Sequence, residues 1–341
     1  MPAKLHLHLA GKVGTSARVV VIALAGDILV AAFKFVAGHL SGSSAMISEG
    51  VHTLIDACTE IILLYGLVVS RRRATPEHQL GYGREVFFWN FVVAVLILAL
   101  GSGIAFVAGL HQIANPVALE NEWLNFVVLA CSGVVEIGGL WAAFKKTSSG
   151  RGKESLYRSL SRRRDPTSLT ILFGGVAAVI GLIVTAVGLI ASMLTENAAY
   201  DGLASIAIAA ILAVTALKLA IESKSLLIGV PADPEVVTAI IATVKTSDAV
   251  HIVNGMVSVH LSPDQLLVAL SVSFDDALGS RQIEIAISGI EGELHRSHPQ
   301  IVALFIKPQS PERYAEVHGN GAPVTCFANV RKVAATPYAS M

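Results

Sequence analysis

Within "SEGVHTLIDACTE" the residues Glu49, His52, Asp56 and Glu60 follow one another at spacings of three and four. On a helix such residues overlie one another on a single face, and His52 and Asp56 are separated by about 6 Å of rise. An imidazole and a carboxylate so placed supply two ligands to one divalent ion. Zinc prefers four ligands in tetrahedral array, so a second helix must approach to complete the set. A second use of the same stripe stays open: His52 and Asp56 can hydrogen-bond each other and neighbouring helices and so hold a bundle together.

Further ionisable residues stand in strongly apolar surroundings. Asp27 and Lys34 lie seven residues, two turns, apart on roughly one face, so Lys34 neutralises either Asp27 or adjacent acids. Glu136 lies in "SGVVEIGG". An acid at membrane depth is costly and is a functional-site candidate by default, which makes Asp27 a candidate ligand and gives Glu136 either that role or one as a buried hydrogen-bond acceptor. Nearer the C-terminus His251, His260, His295 and His298 are candidates for a regulatory metal site, with scattered surface histidines as the alternative.

The elements that must position these groups follow from composition. The chain has 341 residues, is 53% hydrophobic and only 15% charged, and its mean hydropathy is +0.65. These values exclude an ordinary soluble globular protein. The formal net charge is zero, which gives no reason to expect a nucleic-acid partner. Cys58, Cys131 and Cys326 are too far apart for a disulfide framework or a thiolate zinc site, and two of them read as apolar fillers. The basic N-terminus lacks the short apolar core and cleavage site of a secretory signal.

A bilayer core needs about 20 mostly apolar residues. The windows 19–38, 46–69, 86–110, 123–144, 167–194 and 201–220 meet or nearly meet that need, so six transmembrane helices are expected. Lys4, Lys12 and Arg18 precede the first window, Arg71, Arg72, Arg73 and Arg84 follow the second, and Lys145, Lys146, Arg151, Lys153, Arg158, Arg162, Arg163 and Arg164 follow the fourth. The other connections carry no Lys or Arg. The positive-inside rule then places both termini in the cytoplasm. After Lys224 the texture changes: "ADPEVVTAIIATVKTS" opens a helix, "HIVNGMVSVHLSPDQLLVALSVSF" is two alternating strands about a turn at Ser262, Pro263 and Asp264, "SRQIEIAISGIEGELHRSHP" is an amphipathic helix, and "IVALFIKP" is a short buried strand. The expected organisation is a cytoplasmic arm over 1–18, a transmembrane domain over 19–224, a cytoplasmic α-β-β-α-β domain over 225–308 and a loose tail over 309–341.

In order along the chain, "GSSAMISEGVHTLID", "HQLGYGREVFFWNFV" and "YDGLASIAIAAIL" resemble motifs of the second, third and sixth helices of the cation diffusion facilitator (cation efflux) family, and the C-terminal α-β-β-α-β pattern resembles its ferredoxin-like cytoplasmic domain. The resemblance covers about residues 15–308. It implies a homodimer, and divalent-cation efflux coupled to inward proton movement through a site built from residues four apart on helix two and on helix five. His52 and Asp56 match the helix-two pair. Helix five departs: in "DPTSLTILFGGVAAVIG" Gly174 and Gly175 stand where an acidic pair is usual, and Ile171 precedes Gly175 by four residues. Ala108 stands where Glu is expected at the end of helix three.

The expected metal ligands are therefore His52, Asp56, Glu49 and Asp27. The metal, with zinc as first candidate, is cargo rather than a resident cofactor, since mixed N/O ligands also suit iron, cobalt, nickel or manganese. Protons, the bilayer of the cell (inner) membrane and a second copy of the chain are the remaining partners. The competing reading is a non-transporting scaffold or partner subunit of the same fold. It is favoured by Gly174 and Gly175, and Gly174, Gly181 and Gly188, recurring every seven residues, form a smooth ridge for close helix packing. Enzyme activity is disfavoured, because the soluble segment shows no nucleophile, phosphate loop or metal-hydrolase motif.

Overall fold

The structure, a computed structural model, describes residue 24 and residues 26–116, 122–148 and 165–318. The arm over 1–18 and most of the arginine-rich connection after helix four lie outside the described residues. The chain divides into two compact units, one holding the described residues up to 69, 85–148 and 165–224, the other 70–84 and 225–318.

The first unit is helical: α1 (26–41), α2 (Ser44–Ser70), α3 (Glu85–Ala114), α4 (Glu122–Ser148), α5 (Pro166–Thr195) and α6 (Ala199–Ile228). Five of these, α2 to α6, are long and apolar enough to cross a bilayer. α1 is the described part of the window 19–38. Gly42, at φ 71°, makes the left-handed turn between α1 and α2 that a side chain would disfavour. α5 starts on Asp165, which accepts from the Ser168 amide, with Pro166 at its first position. Within α3 the stretch Ile97–Ser102 is a π-helix, a local widening that recurs at functional positions.

Burial in this unit is inverted relative to a soluble protein. Large apolar side chains face outward, among them Val134 at 76% and Trp141 at 63% exposure, while Lys34, Glu49, His52, Asn90, Thr185, Asp201 and Ser205 are buried. A surface of that kind is stable against lipid and not against water. Two of the three cysteines are expected as apolar fillers of the core, but Cys58 and Cys131 are exposed.

Side-chain hydrogen bonds and glycine contacts join the helices. Asp201, in the first turn of α6, accepts from Ser43 Oγ at 2.6 Å, from the Ser44 amide and hydroxyl at 2.6 and 2.8 Å, and from the Ala45 amide at 3.2 Å. It thus caps α2 from another helix, satisfying amides that a helix start leaves without internal partners. Ser48 bonds Ser205, whose hydroxyl donates to the Ala105 carbonyl. Asn90 joins α3 to α5 through Thr167 and Thr170.

The second unit holds α7 (Pro234–Val244), β1 (Val250–Ser262), β2 (Gln265–Phe274), α8 (Ser280–Ser297), β3 (Ile301–Pro308) and α9 (Pro311–His318). β1 and β2 pair antiparallel about the predicted turn, and β3 lies parallel to β2 after the crossover through α8, giving the order β1-β2-β3 in a small mixed sheet. Its core includes Ile240, Met256, Val268, Leu270 and Leu294. β3 is not the wholly buried strand that its apolar run suggests: it lies at the sheet edge and leaves Phe305 59% exposed. Nor is the segment after Pro308 a loose tail from its start. Ser310 accepts from the Arg313 amide, Pro311 takes the first position, and α9 follows, with Tyr314 lying where a side chain on Gly255 would be. Residues 319–341 lie outside the described residues.

Candidate metal centre

α1 and α2 are antiparallel neighbours, and one register organises the ionisable residues between them. The Lys34 ammonium donates to Glu49 Oε2 at 3.1 Å, to Thr53 Oγ1 at 2.9 Å and, from across the bundle, to Glu136 Oε1 of α4 at 2.7 Å. An ammonium has three N–H donors, so these acceptors saturate it. Lys34 therefore neutralises adjacent acids, one of the two possibilities raised by its spacing from Asp27. The same register carries Asp27, seven residues before Lys34, to the level of Asp56 and Glu60. Those two lie seven residues beyond Glu49 and Thr53.

His52 sits between the two levels. Its Nε2 lies 3.3 Å from Asp56 Oδ2, with the imidazole 4% and the carboxylate 32% exposed. The pair offers one nitrogen and one carboxylate in a geometry that accepts a small cation between them after modest side-chain rotation. Of the four expected ligands, His52 and Asp56 are thus adjacent, Asp27 is on the neighbouring helix at the Asp56 level, and Glu49 is held by Lys34 about two turns away. Among the described residues no group of three His, Cys, Asp or Glu is assembled closely enough to hold a metal as it stands. This includes the histidines of the second unit: His260 Nδ1 lies beside the Ser262 carbonyl, His298 Nδ1 beside Ser297 Oγ, and His251 and His295 are exposed.

α5 meets the Glu49 side chain of α2 at Gly181 and meets α6 at Gly188. A Cβ on Gly181 would overlap Glu49 Oε1, and one on Gly188 would overlap Ala204 of α6. α5 runs antiparallel to α2, so the step from Gly181 back to Gly174 follows the step from Glu49 to Asp56. Gly174 therefore stands at about the Asp56 level, and a Cβ there meets nothing within 4 Å. The smooth ridge inferred from the heptad spacing is needed at two of its positions and not at the third. At Gly175 a Cβ would lie 3.1 Å from Leu140 Cδ1, a mobile side-chain tip. Ile171 is exposed on the outer face. Ala108 lines an open cleft of about 680 Å³ with His39 and His111.

Three roles escaped the sequence reading. Thr53 as a Lys34 acceptor, Asp201 as a cap for α2 and Thr185 as a buried hydroxyl each depend on contacts between helices. Only Asp201 carried a local signal, an acid in the first turn of a helix.

A helical bundle with an apolar exterior, and with acids, an imidazole and an ammonium inside, defines a polytopic membrane protein. A family model of the cation efflux transmembrane domain matches residues 20–228, and the chain belongs to the cation efflux, or cation diffusion facilitator, family. It is 29% identical over 262 residues to metal tolerance protein C4 of Arabidopsis thaliana, covering 76% of this chain and 57% of that protein. Against the mitochondrial proton-coupled zinc antiporter SLC30A9 of Homo sapiens it is 26% identical over 319 residues, covering 93% of this chain and 55% of that one. A probable cation efflux system protein of Mycobacterium tuberculosis is 32% identical over 174 residues, 46% of this chain and 50% of the relative. The chain thus spans about half the length of the curated relatives it matches.

Proposed function

We propose that this protein exports divalent transition-metal cations, zinc first among them, in exchange for protons. The observation that carries the reading is the His52–Asp56 pair, side by side on α2 with Asp27 and Glu60 at its level, in a chain of the cation efflux family. His52 and Asp56 bind the cation, Asp27 supplies a further carboxylate, and Glu49 fixes Lys34 beside the site. Ligands bind metal in their deprotonated forms, so metal and protons compete for the same atoms, and alternating access converts that competition into exchange. The relative named a proton-coupled zinc antiporter supports this direction.

In the same reading α1 completes a set of six membrane spans and both termini are cytoplasmic. The second unit is a ferredoxin-like domain that pairs with its copy in a homodimer, the membrane is the cell (inner) membrane, and the chain is a transporter without enzymatic chemistry. Gly174 and Gly175 favour a second reading, a non-transporting scaffold or partner subunit, because α5 brings no side-chain ligand.

Reconstitution into proteoliposomes decides between them. With a panel of divalent ions and an imposed pH gradient, the wild type is expected to move zinc, and His52→Ala and Asp56→Ala are each expected to abolish that movement while the folded yield is kept. A wild type that moves no ion, with variants indistinguishable from it, establishes the scaffold.

A further inference from the structure

The bundle contains a second set of cation-binding atoms about 10 Å along the helix axis from Asp56 and about 4.5 Å from His52. Glu49 and Lys34 are fully buried, and both acids of the cluster touch the one ammonium. Each acid uses a single oxygen for this contact: Glu49 Oε1 and Glu136 Oε2 are buried and have no hydrogen-bond partner among the described residues. The Thr185 hydroxyl, also fully buried, has none either. Thr185 lies one turn from Gly181 on the same face of α5, the face on which Glu49 Oε1 rests. When both are ionised, two carboxylates facing one monovalent cation leave a negative charge unmatched, at a place where Glu49 is wholly shielded from solvent and Glu136 is 14% exposed.

We propose that Glu49 and Glu136 form a second divalent-cation site, separate from the His52–Asp56 pair, which the tethered ammonium of Lys34 fills in this structure. The acid pair carries two negative charges and matches a divalent cation when Lys34 withdraws. Its donor atoms are all oxygens, two carboxylates with the Thr53 hydroxyl beside them, a set suited to harder ions such as manganese or magnesium rather than to zinc. Lys34 then acts as an internal competitor: it keeps the acids paired when no ion is present and weakens the hold on an ion that is. The inference does not rest on transport through His52 and Asp56.

The test is Mn²⁺ binding to the purified full chain in detergent, followed by electron paramagnetic resonance. All variants are built on Asp56→Ala, so that the other site contributes little. Adding Lys34→Met is expected to create one Mn²⁺ site per chain, tighter than any in the parent by at least about tenfold, because a unit positive charge leaves contact with the bound ion. Adding Glu136→Gln as well should abolish it. Where Lys34→Met leaves the chain unstable, Mn²⁺ is expected to raise its unfolding temperature, and to leave that of the variant also carrying Glu49→Gln and Glu136→Gln unchanged. A folded Lys34→Met chain that binds no more Mn²⁺ than its parent overturns the proposal and leaves Lys34 as an ion-pair partner only. A Lys34→Met chain that stays unfolded with Mn²⁺ present overturns it equally, since the acid pair then does not accept a divalent ion in place of the ammonium.

Discussion

Replacing Gly174 by Asp tests the geometry of the candidate centre most directly. A Cβ at Gly174 meets nothing within 4 Å, and the residue lies at about the level of Asp56. The substitution should therefore be sterically free, and exchanging a mid-helix glycine for aspartate gains a few tenths of a kcal/mol, roughly 0.3, in helix propensity. The new carboxylate adds a ligand from a second helix to His52 and Asp56. If one charged contact nets about 1.5–3 kcal/mol, the chain should bind zinc roughly tenfold to a hundredfold more tightly. The assay is calorimetric titration of purified protein with Zn²⁺, accompanied by thermal unfolding. Gly181→Ala is the control. Its Cβ would overlap Glu49 Oε1, so it should lower stability by about 1–3 kcal/mol, as overpacking does, without tightening zinc. A folded Gly174→Asp chain with unchanged zinc affinity would refute the register that places this glycine beside Asp56. Failure of Gly174→Ala to fold would refute the open space.

The remaining predictions concern the frame around the site. Asp201→Ala removes the acceptor of four hydrogen bonds at the start of α2 and should cost at least about 1–3 kcal/mol, the range for leaving a buried donor without its acceptor, read as a fall in unfolding temperature in detergent. Asp201→Asn, which keeps acceptor oxygen but not charge, should fall between the two. The second unit, expressed from residue 225 to 318, should fold by itself on the strength of its own core and self-associate. A monomer in sedimentation would refute the homodimer contact assigned to this unit, and loss of the cooperative thermal transition on removing α9 would tie Tyr314 to that core.

Much was legible before any coordinates. Stretches of about 20 apolar residues have few fates other than crossing a bilayer, and α2 to α6 lie where the windows placed them. The spacing of Glu49, His52, Asp56 and Glu60 defines one helix face whatever surrounds it, because helical periodicity is a local property. The α-β-β-α-β order after Lys224 was equally visible, because alternation of period two and an Asp-Pro-Glu helix start are local signals. The start of α9 was written in Ser310 and Pro311 but is a short cap without the apolar periodicity that marks longer helices.

Which residues meet across helices is another matter, since nothing local in a sequence encodes distance between segments far apart along the chain. Lys34 had Asp27 on its own helix face as an equally good partner by spacing; the antiparallel register of α1 and α2 and the approach of α4 gave it Glu49, Thr53 and Glu136. The heptad glycines of α5 looked alike in one dimension. Only packing distinguishes Gly181, against which Glu49 Oε1 rests, and Gly188, where α6 comes close, from Gly174, which faces open space. Residue chemistry and periodicity thus determined the helices and the face of α2 that bears the ligands, while tertiary packing, which sets distances between helices, decided which charges are neutralised and where a missing ligand has room to stand.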